Sequence, residues 1–205
     1  MPESVTPILQ LTDVRVAVRD LRWFHAIGPG DRVAPGQPAP TLLRVPAAEA
    51  NRVLQQTVRL VADLPRGSSG LVVWQQGGSE LAVRTKEIAL ACAEGLVTIT
   101  FPVRCDQLSK DERVAIPLAV GTEARPAGLV LSALTRPQGP AVVTQLWAEA
   151  LTAFAWEALV HLAQQLCAAV GKDTTGKPLV PGSIAAARNT LLLQPMARHA
   201  LSWRP

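Results

Sequence analysis

The stretch AVVTQLWAEALTAFAWEALVHLAQQLCAAV, Ala141 to Val170, contains neither Gly nor Pro and is apolar on almost every side of a helical wheel. At about 100° per residue, Trp147 and Phe154 share one face, while Trp156, nine residues after Trp147, points the opposite way. A helix of this kind must be covered twice. One face can serve a sheet; the other needs either the C-terminal segment SIAAARNTLLLQPMARHALSW, read as helical, or a second copy of the chain. Glu149, Glu157 and His161 within the run would be costly in the middle of a bilayer, so a soluble helix is expected rather than a membrane span.

The remaining pattern supplies a sheet. Period-two alternation in VRVAVRDLRW, with Val14, Val16 and Val18 on one side and Arg15 and Arg19 on the other, reads as a strand. The segment Gly28 to Pro40 follows, and its four prolines and three glycines exclude a regular element. From Ala47 to Leu64 the spacing becomes helical, bounded by Pro46 and Pro65. Strands are then expected in GLVVWQQ, ELAVRT, EIALACA, LVTITFPVR, RVAIPLAV and AGLVLSAL, with a helix as the open alternative for EIALACA. Turns at Gly77-Gly78, Glu94-Gly95 and Gly121 to Pro126 make the sheet largely antiparallel, and Pro117 places its strand at an edge or a bulge. The fold class is α+β in two or three layers. Three parts are expected: an N-terminal strand and Pro/Gly-rich arm (1–46), a central domain (47–170), and a loop with a C-terminal helical tail (171–205).

Hydrophobic residues at 48% and charged residues at 18% supply enough apolar surface for a core in a chain of 205 residues. The net charge of +4 comes from arginines scattered along the chain, and the sequence has no Tyr, so stacking platforms for nucleic acid are few. A patch of Arg15, Arg19, Arg22, Arg188, Arg198 and Arg204 at the two ends is the feature a nucleic-acid or acidic-protein partner would use. MPESVTPILQ has no secretory pattern, which leads to a cytoplasmic expectation.

GKDTTGKP, Gly171 to Pro178, comes close to a phosphate-binding loop, but Pro178 replaces the Ser or Thr that holds Mg²⁺, and a helix precedes it instead of a strand. Gly171 is better read as a helix stop and Ser183 as the N-cap of a following helix. Cys92, Cys105 and Cys167 make neither a CxxC pair nor an even set, so neither zinc nor a disulfide framework is indicated. With Glu94-Gly95 as a hairpin tip, Cys92 falls opposite Val97 and out of reach of Cys105. His25, His161 and His199 form no local metal spacing, and no nucleophile motif is present. No cofactor, metal or catalytic residue is assigned.

DERVAIPLAVGTEARPAGLVLSALTRP followed by AVVTQLWAEALTAFAWEALVHLAQQL resembles the last strands and closing helix of a GAF domain, a sensory relative of PAS domains. Ile116-Pro117-Leu118 and Gly128 to Leu131 carry the likeness, and NRVLQQTVRLVADLPRGSSGLVVWQQGGSELAVRT is similar to the opening helix and first hairpin. The resemblance implies an antiparallel sheet flanked by helices, with any ligand on the face covered by the middle segment. That segment here, Lys86 to Gln107, is short and strand-like. Two functions follow as expectations: a non-catalytic regulatory or assembly module, homodimeric through Trp147, Phe154 and Trp156 with Trp156 towards the partner, or a small-molecule sensor using Trp74, Arg84, Cys92, Arg104 and Ser132.

Overall fold

The computed structural model describes residues 8–10, 42–65, 67–76, 78–125 and 136–197. In chain order these form β1 (Ile8–Gln10), β2 (Leu43–Pro46), α1 (Ala47–Val61), β3 (Leu71–Gln76), β4 (Ser79–Arg84), a 3-10 turn (Thr85–Glu87), β5 (Ala89–Ala93), β6 (Leu96–Cys105), β7 (Glu112–Ala119), α2 (Ala141–Val170), β8 (Val180–Ala187) and β9 (Thr190–Met196). The expected strands at VRVAVRDLRW and AGLVLSAL, and the loop from Gly28 to Pro40, lie outside the described residues.

The main sheet is a mostly antiparallel meander. β3 pairs with β4, β4 with the far end of β6, β5 with the near end of β6, and β7 runs along the other side of β6 from Leu96↔Ala119 to Val103↔Glu112. β1 adds to β3 in parallel. Alternation sorts the side chains: Val72, Trp74, Leu81, Val83, Leu90, Cys92, Val97, Ile99, Phe101, Val114, Ile116 and Leu118 all turn inward and are buried. Glu94-Gly95 closes the β5–β6 hairpin with Gly95 at φ 67°, a left-handed conformation that glycine adopts without a steric penalty. Pro117 sits on β7, whose outer side is bridged by Gln138 at Ala115; among the named strands β7 pairs with β6 alone, and the missing N–H of Pro117 costs no bond to β6.

Both helices lie against the inward face. α1 starts directly from Pro46 and buries Ala50, Leu54, Thr57 and Val58, a single stripe of an amphipathic helix. Thr57 Oγ1 lies 3.0 Å from Gln165 Oε1 and joins α1 to α2. Asn51 holds the free edge of β5: its Nδ2 donates to the Leu90 carbonyl at 2.8 Å and its Oδ1 accepts from the Leu90 N–H at 2.5 Å. The Cys92 carbonyl on the same edge accepts from the Asn189 N–H at 3.1 Å. Among the described residues, the β5 edge is thereby closed without another strand.

The second cover of α2 comes from the C-terminal segment, but in strand form. β8 and β9 form a hairpin, and β2 completes a three-stranded antiparallel sheet in the order β2-β9-β8. The expected C-terminal helical tail is corrected accordingly, and Ser183 caps no helix: it is buried within β8 with its Oγ donating to Gln194 Oε1 at 3.1 Å. Ile184, Ala185, Ala186, Leu191, Leu192 and Leu193 are all fully buried, so both faces of this hairpin are covered and no period-two pattern survives in the sequence. Asn189 at φ 57° makes the turn. The expected boundaries at 46 and 171 both fall beside this small sheet, whose Val45, Ile184, Leu191 and Leu193 belong to the same core as α2 and the main sheet. No helix among the described residues is long and apolar enough to cross a membrane.

Candidate interaction surface

The outward face of the main sheet is built from the side chains that alternate with the core. On β5, β6 and β7 the register aligns them in three rows: Ala89, Thr100 and Ala115; Ala91, Thr98 and Pro117; Ala93, Leu96 and Ala119. None carries a charge. The three β5 alanines are exposed and the other six are half-buried, so the rows form an uncharged outward plate, and Pro102, the next outward residue on β6 after Thr100, is buried. Three strands at ~4.8 Å spacing and five residues of length give a plate of roughly 250 Å². Charge stands only at its ends, with Arg113 beyond the Ala115 row and Glu94 beyond the Ala93 row, both exposed. An uncharged centre with a charged margin is the usual anatomy of a protein contact.

Next to the plate, over β3, β4 and the end of β6, lies an open groove of about 360 Å³ lined by Val73, Glu80, Ala82, Arg104, Cys105, Asp106 and Leu108. Of the five residues expected at a ligand site, only Arg104 borders it. Arg84 is nearby: Asp111 pairs with Arg84 at 2.6 Å and with Arg104 at 3.4 Å, so the fold brings these two arginines together around one carboxylate. Trp74 and Cys92 turn to the opposite face. Trp74 is 1% exposed and meets Phe154 edge-on with centroids 5.3 Å apart, and burial pushes the Cys92 thiol up to about 11. The four described residues therefore do not form one site, and Ser132 lies outside the described residues.

The three aromatic residues expected at a subunit interface are internal. Trp147, Phe154 and Trp156 are at most 2% exposed within the single chain, because β8 and β9 take the side of α2 that a partner would otherwise cover. Trp156 is corrected from a partner anchor to a core residue. Its Nε1, like that of Trp74, is buried without an acceptor among the described residues.

GKDTTGKP is a self-contained turn. Asp173 Oδ1 accepts from the Thr175 N–H at 2.8 Å, the Thr175 hydroxyl at 2.6 Å and the Lys177 N–H at 3.0 Å. Donors that would face a phosphate in a nucleotide-binding loop here surround the loop's own carboxylate. Cys92, Cys105 and Cys167 are all free, Cys92 pairs with Val97 as expected, and burial pushes the Cys167 thiol up to about 12. No group of three potential metal ligands occurs among the described residues. Of the arginines proposed as a basic patch, only Arg188, beside the β8–β9 turn, is described.

The chain matches no protein-family model, no curated protein and no solved structure.

The plate was missed in the sequence because alanine is a poor strand former and carries no motif. Its trace is the alternation in ALACA, where Leu90 and Cys92 point in and Ala89, Ala91 and Ala93 point out.

Proposed function

We propose that this chain is a non-catalytic, GAF-like regulatory or assembly module that acts through protein–protein contacts and works as a homodimer. The observation that supports this reading is the uncharged outward plate of β5, β6 and β7, a surface suited to another protein and too flat to enclose a small molecule. Trp147, Phe154 and Trp156 of the long helix are buried within the single chain and are not the contact in this reading. The test is the solution mass across a dilution series from about 1 to 200 μM, the range in which a modest interface associates. The 21.8 kDa chain should approach twice its mass at the upper end; a single mass throughout, unaffected by added partner proteins, would remove the reading.

A sensor function is the second reading, favoured by the groove beside Arg104. A thermal-shift panel of metabolites and cyclic nucleotides tests it. A ligand acting there must lose its effect in Arg104→Ala.

A further inference from the structure

Resting on the sensor reading above, we propose that the groove over β3, β4 and β6 binds a zwitterion of the α-amino-acid type with an aliphatic side chain. Charge complementarity selects this ligand. The register sets Val73, Ala82 and Arg104 side by side across the three strands, so two short apolar side chains adjoin one guanidinium. Leu108 adds a wall, and the three apolar residues offer a surface to an aliphatic stem. Glu80 and Asp106 come one residue beyond the paired Leu81 and Cys105, which brings two carboxylates to the end of the β4–β6 ladder. Glu80 accepts from Gln75 Nε2, but neither carboxylate is paired with a cation among the described residues. Like charges placed across two strands repel, and an ammonium between them relieves the repulsion.

The guanidinium is positioned and only partly used. Arg84 holds Asp111 at 2.6 Å, whereas Arg104 reaches it through one nitrogen at 3.4 Å, which leaves most of the Arg104 N–H donors for a carboxylate. Two residues along a strand, about 7 Å, separate the acidic end of the groove from the Arg104 row. An ammonium and a carboxylate carried on one carbon bridge that separation when each is hydrogen-bonded at about 2.8 Å. Neither charge alone matches, since a simple anion meets the two carboxylates and a simple cation meets Arg104. Glu80, Arg104 and Asp106 are all exposed, so binding is weak, with dissociation near about 1 mM.

The experiment is an amide NMR titration of the full chain with L-leucine, its decarboxylated analogue 3-methylbutylamine and its deaminated analogue 4-methylpentanoate, each up to about 20 mM. L-Leucine should give saturable shifts at Val73, Ala82, Arg104 and Leu108, and each analogue should bind at least about tenfold more weakly. Arg104→Gln and the double variant Glu80→Gln/Asp106→Asn should each abolish these shifts while the rest of the spectrum stays as in the wild type. An analogue that binds as well as L-leucine overturns the zwitterion class and leaves the groove a ligand site. Shifts that saturate elsewhere, or that survive both variants, overturn the groove. No saturable shift with any of the three compounds overturns this inference; the sensor reading falls with it only when the metabolite and cyclic-nucleotide panel is blank as well.

Discussion

Replacing Asn51 tests how the main sheet ends. Its amide makes three hydrogen bonds, to the Ala47 carbonyl at 2.9 Å and to the carbonyl and N–H of Leu90 at 2.8 and 2.5 Å. In Asn51→Ala the two Leu90 groups lose their partner at a half-buried helix–sheet junction. At about 1 kcal/mol net per bond, the two bonds to β5 and the helical one sum to about 2–3 kcal/mol. For a chain of this size that is a fall of roughly 5–10 °C in melting temperature. Asn51→Asp separates hydrogen bonding from packing. The carboxylate still accepts from the Leu90 N–H, but it has no donor for the Leu90 carbonyl and sets negative charge against it. At neutral pH Asn51→Asp should therefore be no more stable than Asn51→Ala. Below a pH of about 4 the protonated acid regains a donor, and Asn51→Asp should overtake Asn51→Ala. Urea unfolding at both pH values measures the two variants. An Asn51→Ala within about 0.5 kcal/mol of wild type would show that pairing with β6 alone holds β5, and that the edge bonds add nothing.

Further outcomes follow from the same structure. Leu193, fully buried on β9 where the small sheet meets the core, should cost about 2–5 kcal/mol on change to Ala in chemical unfolding, whereas a dispensable tail would lose almost nothing. Maleimide at pH 7.5 should label Cys105, which is half-buried, well ahead of Cys92 and Cys167, whose thiols burial pushes up to about 11 and about 12; comparable rates at all three would contradict the placement. Burial lowers the His161 pKa from its ordinary 6.5, against the opposing pull of Glu157 Oε1 3.8 Å from its Nε2. The folded state then binds this proton less readily than the unfolded chain, so His161 should erode stability as the pH falls through 6.5 and below, and an NMR titration midpoint at or above 6.5 would reverse that sign.

The parts of this fold that are legible in the sequence are those with strong local punctuation. α2 runs from Ala141 to Val170 because Pro140 and Gly171 bound an uninterrupted helix-forming run. The β5–β6 hairpin follows from Glu94-Gly95, and with it the pairing of Cys92 with Val97. The C-terminal hairpin was hidden for a physical reason. IAAA and TLLL are built from strong helix formers, and both faces are buried, so neither propensity nor period marks a strand. Asn189 was the one local clue, because its turn geometry permits a reversal that a helix would not contain. The need for two covers on α2 was readable from its composition; that the second cover is a sheet closed by β2, from far earlier in the chain, depends on long-range pairing. The site was less legible. Arg84 and Arg104 were singled out separately, and only the fold shows that Asp111 joins them. Trp74 and Cys92 read in the sequence as ligand-face residues, whereas alternation along β3 and β5 places them with the core.

The most direct test of the assembly account is the solvent access of the plate itself as protein concentration rises. In the full chain with Cys105→Ser, a cysteine introduced as Ala91→Cys lies at the plate, while the remaining native thiols are buried. Its maleimide labelling rate should fall as the chain is concentrated from about 1 to 200 μM and recover on dilution, whereas a cysteine at exposed Lys110 should label at one rate throughout. Equal behaviour at the two positions would contradict the account, because a plate that never closes is not an interface.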